Sequence, residues 1–164
     1  MRLTHTDERG SARMVDVGGK PVTERTALAE GCVIMASASC ALVMDNAVAK
    51  GDVLATARLA GIAGAKRTAD LIPLCHPLPL DLVEVDAVAD PALPGVRVQA
   101  RAKATARTGV EMEALAAVTA ACLTVYDMVK GVDRSMRIEG IRLIEKTGGT
   151  RGDWRASDGL AKEE

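Results

Sequence analysis

Two alternating stretches joined by a proline turn place the strongest constraint on the fold. Along 82–88 and again along 96–104, apolar and polar residues alternate with a period of two, which is typical of strands with one buried face. The segment 90–95 between them contains two prolines and a glycine and predicts a turn. These residues therefore predict an antiparallel strand pair whose apolar face needs a covering layer.

The polar face of the second strand carries three basic residues, Arg97, Arg101 and Lys103. Such a row is consistent with simple solvation and equally with contact to an anion. The whole chain has a formal charge of −1, which argues against nucleic acid or an anionic membrane as a general partner. With one Trp, one Tyr and no Phe, the chain also lacks the aromatic residues on which bases usually stack.

Apolar residues at helical spacing predict the covering layer. A short helix is expected up to Asn46, a second from 52 to Pro73, and the longest from 111 to 130. Proline ends the second helix because its ring blocks further helical hydrogen bonding. The predicted caps are Ser37 or Ser39 for the first helix, Asp52 for the second, and Gly131 at the end of the third.

Two further strands, 23–35 and 136–144, complete the set, the first with an expected bulge at Gly31. The order strand, helix, helix, strand, strand, helix, strand predicts an α+β fold that is ferredoxin-like in layout. Its four-stranded antiparallel sheet would carry the helices on one face. We expect a flexible N-terminal segment over 1–20, one domain over 21–154 and a disordered charged tail over 155–164.

The core of this domain must be built from small aliphatic side chains, which bury little area each. That composition favours a homo-oligomer, in which further apolar surface is buried between subunits. The N-terminus shows no secretory signal, and no apolar run is expected to approach membrane-spanning length. Four scattered cysteines without a C-x-x-C pair fit reduced thiols in a cytoplasmic protein.

A single histidine, His76, lies in a loop stiffened by Pro73, Pro77 and Pro79. Each proline restricts itself and the residue before it, so the loop holds the imidazole in a defined direction. A lone histidine in a surface connector is the commoner situation. The sequence leaves both interpretations open at this point.

Two acidic residues of the longest predicted helix, Glu113 and Asp127, point in nearly the same direction because fourteen positions separate them. At the rise of an α-helix they are nevertheless about 21 Å apart. Asp127 and Lys130 share a face at i, i+3, where a surface ion pair is the ordinary explanation. If both helix ends matter, either the site is assembled from two subunits or each end has a separate role.

Basic residues at element ends suggest phosphate chemistry. Lysines around a phosphorylated substrate hold phosphate oxygens, and one with a lowered pKa transfers protons. Neither a Walker A loop nor G-x-G-x-x-G is present, so side chains and helix ends would hold any nucleotide. From the residues alone, the chain is a phosphate-handling acid–base enzyme of unspecified reaction. The basic residues concerned are Arg25, Lys50, Lys66, Lys130 and Lys146.

Taken together, five long motifs closely resemble the MoaC family, and the resemblance runs in order from about Leu3 to Trp154. The motifs are Lys50-Gly51-Asp52-Val53-Leu54, Ala65-Lys66-Arg67-Thr68-Ala69-Asp70-Leu71-Ile72-Pro73-Leu74-Cys75-His76-Pro77-Leu78, Thr108-Gly109-Val110-Glu111-Met112-Glu113-Ala114-Leu115, Leu123-Thr124-Val125-Tyr126-Asp127-Met128 and Glu145-Lys146-Thr147-Gly148-Gly149.

The resemblance implies a lyase of molybdenum cofactor (molybdopterin) biosynthesis. Members of the family convert a cyclised dihydro-GTP into cyclic pyranopterin monophosphate and release diphosphate. The resemblance also implies a homohexamer, a trimer of dimers, with active sites at the dimer interface. Such an arrangement would account for the distance between Glu113 and Asp127.

The resemblance further implies roles for individual residues. By motif position, Asp127, Lys130, Lys50 and His76 are the expected catalytic residues. Substrate contacts are expected from Leu74, Cys75, His76, Met112, Glu113, Lys66, Lys146 and Arg25. No ligand set for a metal is visible, so no cofactor is expected and any Mg²⁺ would arrive with the substrate phosphates.

Two other classes of protein remain as alternatives. A non-catalytic oligomeric module that binds nucleotide or phosphate would use the same lysines for grip alone. A purely structural oligomer would show no rise in melting temperature with GTP or diphosphate. The combination of Asp127, Lys130, His76 and Lys50 favours an enzyme over both.

Overall fold

The computed structural model describes residues 11–150 and 152–157, with five strands and four helices in these ranges. Every strand pairing is antiparallel, and the strands lie in the order β2-β3-β1-β4-β5. The α+β, ferredoxin-like prediction is confirmed, with a short fifth strand added at one edge. The elements are β1 Thr23–Ile34, α1 Ser37–Met44, α2 Val53–Lys66, α3 Thr68–Leu71, β2 Leu82–Asp90, β3 Gly95–Ala106, α4 Glu111–Val129, β4 Arg137–Thr147 and β5 Trp154–Arg155.

The core lies between one face of the sheet and the helices α2 and α4. It consists mainly of alanine and valine, with none of the larger aromatic side chains buried. Because these side chains are small, the backbones of neighbouring elements approach each other closely, and this close packing fills the core in place of larger side chains. At Gly31, an added Cβ would lie 2.8 Å from Val118 Cγ1 of α4, and at Gly64 it would lie 2.6 Å from Ala120 Cβ. Small residues therefore allow α4 to pack tightly against both β1 and α2.

The helix α4 is long and apolar enough to cross a membrane by length and composition alone, with a hydropathy of 1.4 over its most apolar window. The expectation that no apolar run approaches that length is therefore wrong for this segment. Half of that window is buried inside the protein, where α4 packs on the sheet and on α2, so the same apolar residues form the core of the domain.

Three predicted helix ends differ from the structure. The helix α2 begins at its predicted Asp52 cap, whose side chain accepts a hydrogen bond from Ala55 N, but it ends at Lys66 rather than Pro73. There the Thr68 hydroxyl donates to the Ala65 carbonyl and a separate short α3 follows. Gly131 is not the cap of α4, because Lys130 occupies the C-cap position in αR geometry.

Neither Ser37 nor Ser39 is the N-cap of α1. Ala36 occupies that position, and its N–H donates to a carboxylate oxygen of Asp133 at 2.8 Å. Asp133 comes from the loop between α4 and β4, so a segment remote in sequence satisfies this end of the helix.

The bulge expected at Gly31 belongs to the neighbouring strand. Gly31 pairs regularly with Val98 of β3, whereas the register with β4 shifts between Glu30 and Cys32. The additional residue is on β4, where Gly140 has φ +63.

The strand β4 continues past residue 144 to Thr147, and Glu145 of β4 pairs with Arg155 of β5. The tail expected from 155 thus begins inside a strand, while residues 1–10, 151 and 158–164 lie outside the described residues.

Carboxylates pair with the basic residues on the open face of the sheet. Lys103 Nζ lies 2.8 Å from Glu24, Arg101 lies 3.5 Å from Glu145, and Arg97 pairs with Asp90. The basic residues of this face therefore take part in ion pairs within the chain.

The two long helices run antiparallel, which positions the functional side chains. Lys50, just before α2, contacts Asp127 near the end of α4. In the middle, Gly61 approaches the Ala117 carbonyl. After α2 ends, the chain returns to the beginning of α4, where Leu78 and Glu113 line the same cavities. Predicted residues consequently collect at both ends of α4.

Candidate active site

Three basic side chains reach the same end of the sheet from three adjacent strands. Arg25 lies on β1, Lys146 on β4, and Arg107 directly follows β3. In the register Lys146 pairs with the buried Ala27, and alternation along β1 places Arg25 on the same, helix-covered face. All three line one cavity that also touches the N-terminus of α4.

This cavity has a volume of about 430 Å³, a size that suits a nucleotide-sized ligand. The segment before β1, the 72–80 loop, the start of α4 and the turn after β4 form its walls. Most of the predicted substrate contacts lie in it. They are Arg25, Leu74, Cys75, His76, Met112, Glu113 and Lys146.

The cavity also contains two carboxylates of the first turn of α4. Glu113 is 4 % exposed, and burial raises the pKa of its carboxyl group, with a smaller contribution from the charge of Glu111. Glu111 forms an ion pair with Lys146 at 3.1 Å. Glu111 therefore holds Lys146 by an ion pair, while burial disfavours the charged form of Glu113 and raises its pKa.

The proline loop brings His76 and Cys75 to the cavity wall. A backbone hydrogen bond from Cys75 N to the Ile72 carbonyl, 3.0 Å long, fixes the start of the loop. Burial raises the pKa of the Cys75 thiol, and the nearby charge of Glu113 raises it further. The thiol is thus a poor nucleophile at neutral pH, and Cys75 forms part of the cavity wall.

Lys66 is the one predicted substrate contact that lies elsewhere. It lines a second, smaller cavity of about 110 Å³, together with Thr68 and Asp70. Glu113 borders both cavities. Glu113 therefore lies between the two cavities, with Lys66 in the smaller one and Arg25 and Lys146 in the larger one.

Three of the four predicted catalytic residues form a separate cluster at the C-terminal end of α4. The two oxygens of the Asp127 carboxylate bind Lys50 Nζ at 2.8 Å and Lys130 Nζ at 2.7 Å. Hydrogen bonds and charge from Lys130 and Lys50 lower the pKa of Asp127 to about 2. All three side chains are about half exposed, so the cluster lies on the surface of the protomer.

The cluster and the cavity are far apart within one chain. Glu113 at the cavity and Asp127 in the cluster are separated by fourteen residues of a continuous helix, or about 21 Å. The structure therefore joins Lys50 to Asp127 and Lys130, and His76 to the substrate-contact residues, but it does not bring these two groups together in one protomer.

Two basic residues of the cavity, Lys20 and Arg107, were not predicted from the sequence. Lys20 lies in the stretch expected to be flexible, where its N–H donates to the Val17 carbonyl at 3.0 Å and forms a turn. Arg107 lies one residue past the end of β3, where strand alternation by itself would place it on the open face with Lys103 and not in the cavity. Its position after a strand and before Gly109 was the available signal.

A family model described as the MoaC family matches residues 14–149 of this chain. The chain is 62 % identical over 155 residues to a cyclic pyranopterin monophosphate synthase of Cereibacter sphaeroides, covering 94 % of this chain and 98 % of that protein. It is 59 % identical over 157 residues to a protein of the same name from Brucella ovis, covering 96 % and 95 % respectively. Both ends of α4, the proline loop and the turn after β4 fall inside the matched region.

Proposed function

This chain belongs to the MoaC family, and we propose that it is a cyclic pyranopterin monophosphate synthase of molybdenum cofactor biosynthesis. In this reaction a cyclised dihydro-GTP, 3′,8-cyclo-7,8-dihydroguanosine 5′-triphosphate, is rebuilt into the pyranopterin. Its inner phosphate closes into a cyclic ester, and diphosphate leaves. The observation that carries the proposal is the cavity in which Arg25, Arg107 and Lys146 converge on the beginning of α4 beside the buried Glu113.

The basic end of the cavity suits the departure of diphosphate. When the bond from the inner phosphate to the bridging oxygen breaks, negative charge accumulates on the leaving group. Arg25 and Lys146 offer positive charge to it, and the amides at the start of α4 add the positive end of the helix dipole. We assign binding of the phosphates to these residues, with Lys66 as a more distant contributor of charge behind Glu113.

Proton transfers are assigned to the Asp127 cluster and to His76. Because its pKa is about 2, Asp127 is ionised at neutral pH and is a weak base. Its role is therefore to hold Lys50 and Lys130 in place by hydrogen bonds of 2.8 and 2.7 Å. Lys50 and Lys130 then exchange protons with the substrate during ring opening and pterin formation, assisted by His76. Leu74, Cys75 and Met112 shape the wall around the substrate.

A site of this kind requires two protomers. A substrate held in the cavity cannot reach an Asp127 about 21 Å away along α4 in the same chain. We therefore propose a homohexamer, a trimer of dimers, in which the cluster of one protomer faces the cavity of its partner. Leu59 on α2 and Leu123 on α4 are apolar and exposed, which is consistent with further burial between subunits.

The substrate is proposed to bring any Mg²⁺ on its phosphates. Among residues 11–150 and 152–157, no group of three or more His, Cys, Asp or Glu side chains is arranged to hold a metal ion. The carboxylates that line the cavity, Glu111 and Glu113, can therefore contact the substrate or a lysine. We place the reaction in the cytoplasm, where the four free thiols would remain reduced.

An anaerobic turnover assay tests the proposal. Purified protein is offered the cyclised dihydro-GTP, and the pyranopterin product and diphosphate are measured. Product formation that fails in Lys50→Ala and in Asp127→Ala supports the reaction and the cluster together. Tight binding of the substrate without product would instead indicate the non-catalytic nucleotide-binding module.

A further inference from the structure

The guanidinium group of Arg25 lies directly over the backbone of Gly149. A Cβ added at Gly149 would lie only 1.6 Å from Arg25 Nη1 and 2.7 Å from Cζ. Since no side chain can share that space with the guanidinium group, Arg25 occupies the place that a side chain at 149 would take. The neighbouring Gly148 donates its N–H to Asp153 at 2.9 Å, which anchors the turn.

Arg25 is also buried without a full set of partners. It is 8 % exposed, and its Nε forms no hydrogen bond within the described part of the chain. A permanently charged guanidinium group is rarely left in this condition, because burial removes the water that would otherwise satisfy its donors. The residue lines the cavity, and its Nη atoms, which are not closed off as Nε is, are the donors placed to reach a ligand there.

Other donors at the same place also favour an anion. The helix α4 begins without a side-chain cap, since its N-cap residue is Val110. The unsatisfied amides of its first turn border the cavity at Glu111 and Met112. Lys146 stands opposite, held by Glu111 at 3.1 Å. A buried guanidinium group at the cavity wall, an uncapped helix start and a lysine together form a site for a tetrahedral oxyanion.

We propose that Gly149 is a positioning residue, which by lacking a side chain places Arg25 to bind the diphosphate portion of the substrate. The inference rests on the proposed function for the identity of that ligand. Gly149 itself touches no substrate atom in this role. It acts through Arg25, and its replacement displaces the flexible end of that side chain rather than the backbone of the fold.

The chain offers a matched control for Gly149. Gly149 and Gly152 lie in the same turn and both have positive φ, +88 and +71. Alanine at either position therefore meets a similar backbone penalty. At Gly152 an added Cβ has no atom of the described residues within 4 Å, so Gly152→Ala reproduces the backbone effect without displacing Arg25.

The test is the binding of inorganic diphosphate to the full-length protein by calorimetry, together with kcat and KM for the substrate. We expect Gly149→Ala to weaken diphosphate binding by at least about tenfold, as the loss of a charged hydrogen bond does. Gly152→Ala should remain within about twofold of wild type, and the two variants should have the same melting temperature. Equal diphosphate affinities in the two variants would overturn the inference.

A double-mutant cycle with Arg25 completes the test. If Gly149 acts through Arg25, then Gly149→Ala has no further effect on diphosphate binding once Arg25→Ala is present. Arg25→Gln provides a second background in case the Arg25→Ala variant does not fold. A full additional loss in either background would show that Gly149 acts independently, and the inference would fail.

These results separate the inference from the proposed function. Turnover by the wild-type protein with equal diphosphate binding in both glycine variants would overturn only the role of Gly149. The opposite result is also possible: Gly149→Ala weakens diphosphate binding, but the wild-type protein does not turn over the substrate. That result would support the role of Gly149 and overturn the proposed reaction.

Discussion

The ammonium group of Lys50 lies 2.8 Å from a carboxylate oxygen of Asp127 and 2.8 Å from the backbone carbonyl oxygen of the same residue, across 77 positions of sequence. This pair links the start of α2 to the end of α4. Because Lys130 holds the second carboxylate oxygen, the aspartate has both oxygens bound to cations. The arrangement fixes two amines on the protein surface, where all three side chains are about half exposed.

Replacement of Lys50 by Ala should lower kcat by at least about 100-fold, the usual contribution of a proton-transfer group. Its melting temperature should stay close to that of wild type, because an exposed ion pair contributes less than about 1 kcal/mol. Lys103→Ala is the matched control, since Lys103 is also a lysine 2.8 Å from a carboxylate and its side chain is about one third exposed. Full activity in Lys50→Ala would rule out the assigned role.

Asp127 should remain ionised throughout the working pH range. A carboxylate whose pKa is lowered on folding contributes stability above its unfolded pKa and loses it as pH falls through the folded value. The contribution of Asp127 is therefore present at neutral pH and disappears between about pH 4 and about pH 2. Asp127→Asn should reduce kcat at every pH above 4 without moving the acidic limb of the rate profile. A shift of that limb in the variant would assign it to Asp127.

Two inactive variants should complement each other if the site spans two protomers. Lys50→Ala inactivates the cluster of its protomer, and Lys146→Ala inactivates the cavity of its protomer. A mixed dimer therefore contains one site in which both parts are changed and one site in which both parts are intact. Random pairing after co-expression predicts about one quarter of wild-type activity. Co-expression of Lys50→Ala with Asp127→Ala, both in the cluster, is the control and should remain inactive. Equal activities of the two mixtures would argue for a site within one chain.

Alkylation should distinguish Cys75 from the other three thiols. Cys75 is half-buried at the cavity wall, whereas Cys32, Cys40 and Cys122 are buried. Burial raises the pKa of Cys122 to about 12, so that thiol should not react in the folded protein. We expect iodoacetamide to modify Cys75 alone, slowly at pH 7 and faster at higher pH because its pKa is raised. Mass spectrometry should show that diphosphate or substrate slows the modification.

The close contact between α2 and α4 makes Gly64 sensitive to substitution. A Cβ at this position would lie 2.6 Å from Ala120 Cβ, so Gly64→Val should destabilise the protein by about 2 kcal/mol through overpacking. Ala63→Val introduces the same side chain at the adjacent, exposed position and should cost about 0.5 kcal/mol. Urea unfolding measures both, and similar values for the two variants would contradict the packing argument.

The periodic parts of the chain were predictable because burial repeats along them. The alternation in 82–88 and 96–104 became β2 and β3, and the apolar spacing after Gly109 became α4. The ends of elements were predicted less well, since remote groups decide them. Asp133 binds the start of α1, and packing of β4 against β1 places the bulge at Gly140.

The residues of the candidate site can also be divided into those that local sequence predicts and those that it does not. The motif around His76 and the pairing of Asp127 with Lys130 follow from local sequence, because i, i+3 spacing fixes neighbours on a helix. Lys20 and Arg107 lacked such a pattern. Lys66 lies in a recognisable motif, yet the early end of α2 places it in a second cavity.

The long periodic elements, the antiparallel character of the sheet and the family to which the chain belongs were all readable from the sequence, because hydrophobic period and long motifs are properties of neighbouring residues. Only the tertiary structure decided which distant side chains meet. The antiparallel packing of α2 on α4 joins Lys50 to Asp127, and the pairing of β1 with β4 places Arg25 over Gly149. Such contacts depend on how whole elements pack and register, and no local pattern along the chain encodes them.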